Sequence, residues 1–219
     1  MFKAAIFDLD GTLLDSIEDL ECACNYALSQ FNLPRVDSQR YKLLLGKGRR
    51  TIIETIVGEF FGNDEKEIVE KFLAYYNSYY EAHMFDNTKP FDGILDMLDV
   101  LNDNNIITAV LSNKPNDFTK SLASSFFKDK IKTVYGLQDG YEAKPDPVTL
   151  LEIINGLGLE KSECIYIGDT EIDIQVARNA NIKSLGVLWG FRTASRLESE
   201  GADYIASTID EMKQIIMNN

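Results

Sequence analysis

The spacing of apolar and polar positions changes rhythm twice along this chain. Residues 4–7, Ala-Ala-Ile-Phe, form an unbroken apolar run that meets Asp8-Leu9-Asp10-Gly11. A short apolar block closed by a turn residue predicts a buried strand. After Thr12 the apolar positions recur at helical spacing. Ile17, Leu20, Cys24, Ala27, Leu28 and Phe31 make one such stripe, with Asp15 or Ser16 placed to cap it and Asn32-Leu33-Pro34 to end it. Further helices are expected over 38–45, 51–61 and 65–83, the last amphipathic and rich in Tyr. Gly46-Lys47-Gly48-Arg49-Arg50 and Gly62-Asn63-Asp64 separate them. No strand pattern is visible between Thr12 and Pro90.

From Pro90 helix and strand alternate. Helices are expected over 92–104, 117–126, 148–157, 171–181 and a last stretch to 217, and strands over 106–111, 131–135, 164–167, 184–188 and, more weakly, 204–206. This alternation predicts an α/β fold, a doubly wound parallel sheet with helices on both faces. The helical stretch reads as an inserted all-helical domain. The expected organisation is a core of residues 1–15 and 82–219 with an insert of residues 16–81, hinged at 15–16 and 81–90.

Ligands of such sheets sit beyond the carboxyl ends of the strands. Asp8 and Asp10 lie there, two apart, so in an extended chain they share one side. Two carboxylates held close need a cation or a shared proton. A calcium loop of the EF-hand type is excluded, because its glycine and glutamate positions hold Leu13 and Asp19. Past the other strand ends come Ser112 and Asn113, then Lys144, then Asp169 with Asp173. Oxygen ligands of this kind favour Mg²⁺. The lone His83 and the scattered Cys22, Cys24 and Cys164 cannot build a zinc site. A hard cation, an ammonium and hydroxyl or amide donors together suit a phosphoryl group, which points to phosphoryl transfer with an aspartate nucleophile.

Charge narrows the partners. The formal net charge of −13 argues against nucleic acid and anionic membranes. It also means that an anionic substrate needs a metal and local bases to offset repulsion. No apolar stretch is long enough to span a membrane. No signal pattern precedes the first strand, and three cysteines without a framework suggest reduced thiols, so a cytoplasmic protein is expected.

Asp-Leu-Asp-Gly-Thr-Leu from Asp8, Leu-Ser-Asn-Lys from Leu111, Ala-Lys-Pro-Asp-Pro from Ala143 and Ile-Gly-Asp-Thr-Glu-Ile-Asp from Ile167 resemble, in order, the four motifs of the haloacid dehalogenase superfamily. The helical insert resembles that superfamily's small cap. The stretch after Asp169, with Gly186-Val187-Leu188-Trp189-Gly190-Phe191-Arg192, is most similar to the phosphoglycolate phosphatase branch. The resemblance implies that Asp8 attacks phosphorus and that Asp10 protonates the leaving alcohol and then activates water. It implies that Asp8, the backbone carbonyl of Asp10 and Asp169 hold Mg²⁺, with Asp173 supporting the metal or its waters. Ser112 and the Asn113 amide would bind phosphoryl oxygens, with Gly11 and Thr12 also at the substrate, and Lys144 would offset charge. In the cap loop, Lys47 or Arg49 would contact a remote anion of the substrate. The expected partner is a small phosphorylated metabolite, 2-phosphoglycolate foremost, and the expected state a monomer or homodimer. A sugar phosphomutase and a 5′-nucleotidase or pyrophosphatase share every motif. A receiver-like phosphate-accepting module is the rival from another class, set apart by its shorter chain and its lack of a second acid.

Overall fold

The computed structural model describes residues 2–62 and 65–218. The expected break at Gly62-Asn63-Asp64 therefore lies partly outside the described residues. The chain opens with β1 (Ala4–Phe7), whose four residues are all inaccessible to solvent. A parallel strand buried on both faces has no polar alternation, and this is why its sequence is continuously apolar. A two-residue strand β2 (Leu14–Asp15) follows.

The chain divides into two compact units, Ser16–Lys89 and Met1–Asp15 with Pro90–Asn219. The first holds α1 (Ile17–Gln30), α2 (Ser38–Leu44), α3 (Arg49–Phe61) and α4 (Lys66–His83). Its core is the apolar stripe of α1, with Leu20, Ala23, Cys24, Ala27 and Leu28 buried, packed along α4, where Val69, Phe72, Leu73, Tyr76 and Tyr80 are buried. Phe31 stacks on Phe72 at 5.8 Å between ring centroids. Ser16 occupies the N-cap of α1 without a side-chain capping bond. His83 pairs with Asp86 and stacks on Tyr79, a packing role.

The sequence drew the return boundary at 81/82, whereas the compact units divide at 89/90. The reason is Asp19. Its buried carboxylate accepts from the Asn87 and Thr88 backbone N–H groups and from the Thr88 hydroxyl at 2.7 Å, which ties the segment after α4 back onto α1.

The strand β3 (Lys89–Pro90) spans the division, and the second unit continues with α5 (Ile94–Asp103), β4 (Ile107–Pro115), α6 (Asn116–Phe127), β5 (Thr133–Leu137), α7 (Val148–Leu157), β6 (Cys164–Gly168), α8 (Glu171–Ala180), β7 (Lys183–Val187), α9 (Ala194–Ser199), β8 (Tyr204–Ala206) and α10 (Ile209–Asn218). Among the described residues, six strands form one sheet in the order β5-β4-β1-β6-β7-β8. Every pairing is parallel. The chain winds outward from β1 to β5, returns to β6 on the other side of β1, and winds outward again. This is the expected doubly wound sheet, and its switch point lies at the carboxyl end of β1. On one face Ala4, Ile6, Ala109, Leu111, Cys164 and Tyr166 pack beneath Leu150, Ile153 and Ile154 of α7 and Val176, Ala177 and Ala180 of α8.

Three features depart from the sequence reading. A strand was not expected between Thr12 and Pro90, yet β2 and β3 pair as a short ribbon. The strand expected to end at Leu111 runs on to Pro115, with an irregular register between the two, so Ser112, Asn113 and Lys114 are strand residues. The short helix α9 was not expected, because six residues carry too little periodicity to announce one.

Candidate active site

The carboxyl ends of β1, β4 and β6 bring together most of the expected residues. Asp8 follows β1, and Asp169 follows β6. Asp173 stands on the first turn of α8, and Lys144 precedes α7 in the loop after β5. Carboxylate oxygens of Asp8, Asp169 and Asp173 all lie within 4.8 Å of one another, and all three residues are buried.

Lys144 is the cation inside this cluster. Its Nζ donates to Asp173 Oδ1 at 2.7 Å and to the Tyr166 hydroxyl at 2.8 Å, and lies 3.0 Å from Asp8 Oδ1. That last contact is an ion pair by distance but not by hydrogen-bond direction: Asp8 Oδ1 is buried and accepts no hydrogen bond. Asn113 holds the lysine from its backbone side, its amide donating to Lys144 O at 3.0 Å and its carbonyl accepting from Lys144 N at 2.7 Å. The side chain of Asn113 is thus a brace for Lys144.

Asp169 is held from four directions. Its Oδ1 accepts from the Thr12 hydroxyl at 3.0 Å and its Oδ2 from the Phe191 N–H at 2.8 Å. A Cβ on Gly11 would stand 2.5 Å from Oδ2, and one on Gly190 would stand 2.4 Å from it. Both glycines are there because the carboxylate occupies the space of a side chain. Asp173 closes a capping box with Thr170, its Oδ2 accepting from the Thr170 N–H at 2.9 Å and hydroxyl at 2.7 Å.

Burial, reinforced by Asp173 and Asp10 and opposed by Lys144, raises the Asp8 carboxyl to about 6. Burial, then the charges of Asp173 and Asp8, raise Asp169 well above the usual carboxylate range. For Lys144 burial works against the charge, but Asp173 and Asp8 outweigh it and push its value upward. Among the described residues, Lys144 is the cation ion-paired with these buried acids.

Asp10 is not part of that cluster. Its carboxylate takes Lys114 Nζ at 2.7 and 3.0 Å, a two-oxygen contact. Lys114 was not singled out from the sequence, although it closes the same strand end as Ser112. Were Asp8, Asp169 and Asp173 all ionised, Lys144 would leave two of their negative charges unbalanced. A divalent cation would balance them, and three buried carboxylates with oxygens within 4.8 Å of one another are the hard donors that suit Mg²⁺.

Gly11 and Thr12, expected at the substrate, place the donors described here within the chain. The Gly11 N–H donates to Leu14 O at 2.8 Å, the Thr12 N–H to Leu9 O at 3.3 Å, and the fully buried Thr12 hydroxyl to Asp169. They shape the loop and hold the acid. Asp146 accepts from the Val148 N–H at 2.9 Å at the start of α7. Ser112 is buried, and its Oγ accepts from the Lys114 N–H at 3.3 Å. In the helical unit, Arg49 donates to the Asn77 side chain, its Nε makes no hydrogen bond, and burial lowers its guanidinium below the usual arginine range. Lys47 is exposed, in the turn just before the same helix.

Besides Lys114, sequence reasoning passed over Tyr166, Thr170 and the backbone of Phe191. Thr170-x-x-Asp173 carried a legible signal, the spacing of a capping box. Tyr166 also carried one, a hydroxyl in an otherwise apolar strand.

An open parallel sheet with clustered acids and a lysine at its switch point defines the class: an α/β protein with a candidate cation site at the carboxyl ends of its strands. The profile of the haloacid dehalogenase-like hydrolases matches residues 5–187, and the chain belongs to that family. A phosphoglycolate phosphatase of Chromobacterium violaceum is 30% identical over 218 residues, 99% of this chain and 97% of that one. The enzyme of the same name from Xanthomonas campestris pv. campestris is 30% identical over 87% of this chain and 85% of its own. An N-acetylmuramic acid 6-phosphate phosphatase of Pseudomonas aeruginosa is 29% identical over 86% and 83%. A solved protein from Lactobacillus delbrueckii subsp. bulgaricus superposes with a TM-score of 0.92 at 33% identity, covering 100% of this chain and 99% of that one.

Proposed function

We propose that this chain is a Mg²⁺-dependent phosphatase that hydrolyses a small phosphate monoester, 2-phosphoglycolate first among candidates, through a phospho-aspartate at Asp8. The observation that carries the reading is Asp8 itself, a buried carboxylate with an unbonded oxygen 3.0 Å from Lys144 and two further acids beside it. Asp8, Asp169 and the backbone carbonyl of Asp10 would hold Mg²⁺, with Asp173 alongside. When bound, the ion supplies the positive charge that lets carboxylates and a phosphoryl dianion meet.

The residues divide the rest of the work. Asp8 attacks phosphorus as the ester P–O bond breaks, and Asp10 gives the leaving oxygen its proton. Asp10 then takes a proton from water as that water attacks phospho-Asp8, which releases phosphate and restores Asp8. Lys144 offsets charge on the nucleophile and the transferring group, while the Ser112 hydroxyl and the Asn113 backbone N–H bind phosphoryl oxygens. Lys47 and Arg49 read a second negative group on the substrate. The two 30% identical relatives named phosphoglycolate phosphatase support that substrate. A cytoplasmic monomer or homodimer belongs to the same reading, and three free cysteines are consistent with a reducing compartment.

The test is phosphate release from a panel of esters: 2-phosphoglycolate, hexose phosphates, an N-acetylmuramic acid phosphate, nucleoside monophosphates and pyrophosphate. Selective turnover of 2-phosphoglycolate that chelator abolishes supports the reading. Selective turnover of another ester moves the substrate, and no turnover of any ester overturns the phosphatase.

A further inference from the structure

Tyr166 is the one hydroxyl in β6, a strand whose five residues are all buried. It pairs in register with Ile6, and its ring stands on the same face of the sheet as Ile6 and Asp8. An apolar residue would fill that space at no polar cost, since a buried hydroxyl must find partners. This one has two. It donates to Leu111 O at 2.7 Å, at the point where β4 becomes irregular, and it accepts from Lys144 Nζ at 2.8 Å.

We propose that the Tyr166 hydroxyl is a positioning group that sets the direction of the Lys144 ammonium. This rests on the phosphatase reading above and deepens it. An ammonium has three N–H donors. Two are fixed, one by Asp173 Oδ1 at 2.7 Å and one by Tyr166. The Nζ is thereby held 3.0 Å from Asp8 Oδ1 without making a directed hydrogen bond to it. Lys144 thus lends Asp8 its charge while leaving the attacking oxygen uncovered. The hydroxyl keeps its own place because its single proton is committed to Leu111 O, which leaves only its lone pairs to face the lysine.

With both bonds in place the ammonium cannot swing its remaining N–H onto Asp8. Without the hydroxyl only Asp173 still holds it, and the ammonium is free to turn an N–H onto the nearest charged acceptor, Asp8 Oδ1, and cover the nucleophile. The consequence is specific: the chemical step slows while substrate binding does not.

The experiment compares wild type, Tyr166→Phe, Lys144→Met and the double variant on 2-phosphoglycolate and p-nitrophenyl phosphate with Mg²⁺, with Asp8→Asn alongside. Tyr166→Phe is expected to lower kcat roughly ten- to a hundredfold, the size of a lost hydrogen bond to a charged group, with KM unchanged. In the Lys144→Met background the same change is expected to cost less than twofold. A Tyr166→Phe enzyme with wild-type kcat, or an equal loss in both backgrounds, overturns the proposal. A merely structural role would lower the melting temperature and the active fraction together and would not depend on Lys144. Should Tyr166→Phe fail to fold, 3-fluorotyrosine at 166 keeps the ring and weakens the hydroxyl as an acceptor. A severalfold drop in kcat is then expected, and no drop overturns the proposal. Asp8→Asn separates the two levels: its full activity would remove the phosphatase reading and this inference with it, whereas an inactive Asp8→Asn beside an unimpaired Tyr166→Phe removes only the inference.

Discussion

Lys114 Nζ sits 2.7 and 3.0 Å from the two carboxylate oxygens of Asp10, across 104 residues of sequence. Both side chains are largely buried, at 4% and 16% exposed, so the contact is not a solvent-screened surface pair. It fixes where the Asp10 carboxyl points. If Asp10 protonates the leaving oxygen, one oxygen carries the proton and the other still accepts from Lys114, so the lysine aims the acid.

Lys114→Met should therefore matter most where the leaving group needs a proton. For an alkyl ester such as 2-phosphoglycolate we expect kcat to fall tenfold or more, within the range general acid catalysis supplies. For p-nitrophenyl phosphate, whose leaving group departs as a stable anion, the loss should be severalfold smaller. Parallel losses on both esters would show that Lys114 does not act through Asp10.

The buried acids make stability depend on pH and metal. Asp8 is raised in the folded state to about 6, from an ordinary 3.8. Between those values the unfolded chain has released the Asp8 proton while the folded chain still holds it, so stability falls as pH rises through this window. The shift amounts to at most about 3 kcal/mol. In chelator, Asp8→Asn should melt at a higher temperature than wild type at pH 7, and the difference should close below about pH 4. A variant less stable than wild type at pH 7 would contradict the assignment of strain to Asp8.

Mg²⁺ binds ionised carboxylates, so its stabilising effect should grow as pH rises across the same window. Melting temperatures with and without Mg²⁺ at pH 5 and pH 7.5 check this. An equal shift at both would mean that the ion does not bind the acids described.

Gly11 has φ +84, and a Cβ there would stand 2.5 Å from Asp169 Oδ2 and 2.6 Å from the Phe191 ring. Gly11→Ala combines a left-handed backbone penalty with overpacking, roughly 2–4 kcal/mol together. It should lower the melting temperature and weaken Mg²⁺ binding, read by titration calorimetry. Unchanged Mg²⁺ affinity would mean that Asp169 is not a ligand.

Arg49→Ala should raise KM severalfold for esters with a second negative group and leave p-nitrophenyl phosphate unaffected. Equal effects on both would remove Arg49 from substrate recognition.

Much of the fold was legible because of burial. A parallel strand covered on both faces leaves no room for polar residues, so β1 and β6 stood out as apolar runs, and α7 and β8 were placed to the residue. The end of β4 was not legible, because Ser112-Asn113-Lys114 are polar residues in an irregular strand that faces the site instead of the core. The acids of the site and Lys144 could be found from their places past strand ends, but Lys114 could not. Nor could their partners. Thr12 with Asp169, Lys114 with Asp10 and Tyr166 with Leu111 are joined across 157, 104 and 55 residues, and no local pattern encodes such distances. The unit boundary shifted for the same reason: Asp19 reads as an ordinary first-turn acid of a helix until Asn87 and Thr88 fold back onto it.

The most direct test of a phospho-aspartate at Asp8 is acid quenching of the enzyme during turnover of 2-phosphoglycolate with Mg²⁺, followed by peptide mass spectrometry. The account predicts one added phosphoryl group on the peptide that contains Asp8, and neither modification nor phosphate release in Asp8→Asn. A phosphoryl group on another residue, or an Asp8→Asn enzyme that still releases phosphate at the wild-type rate, would contradict it.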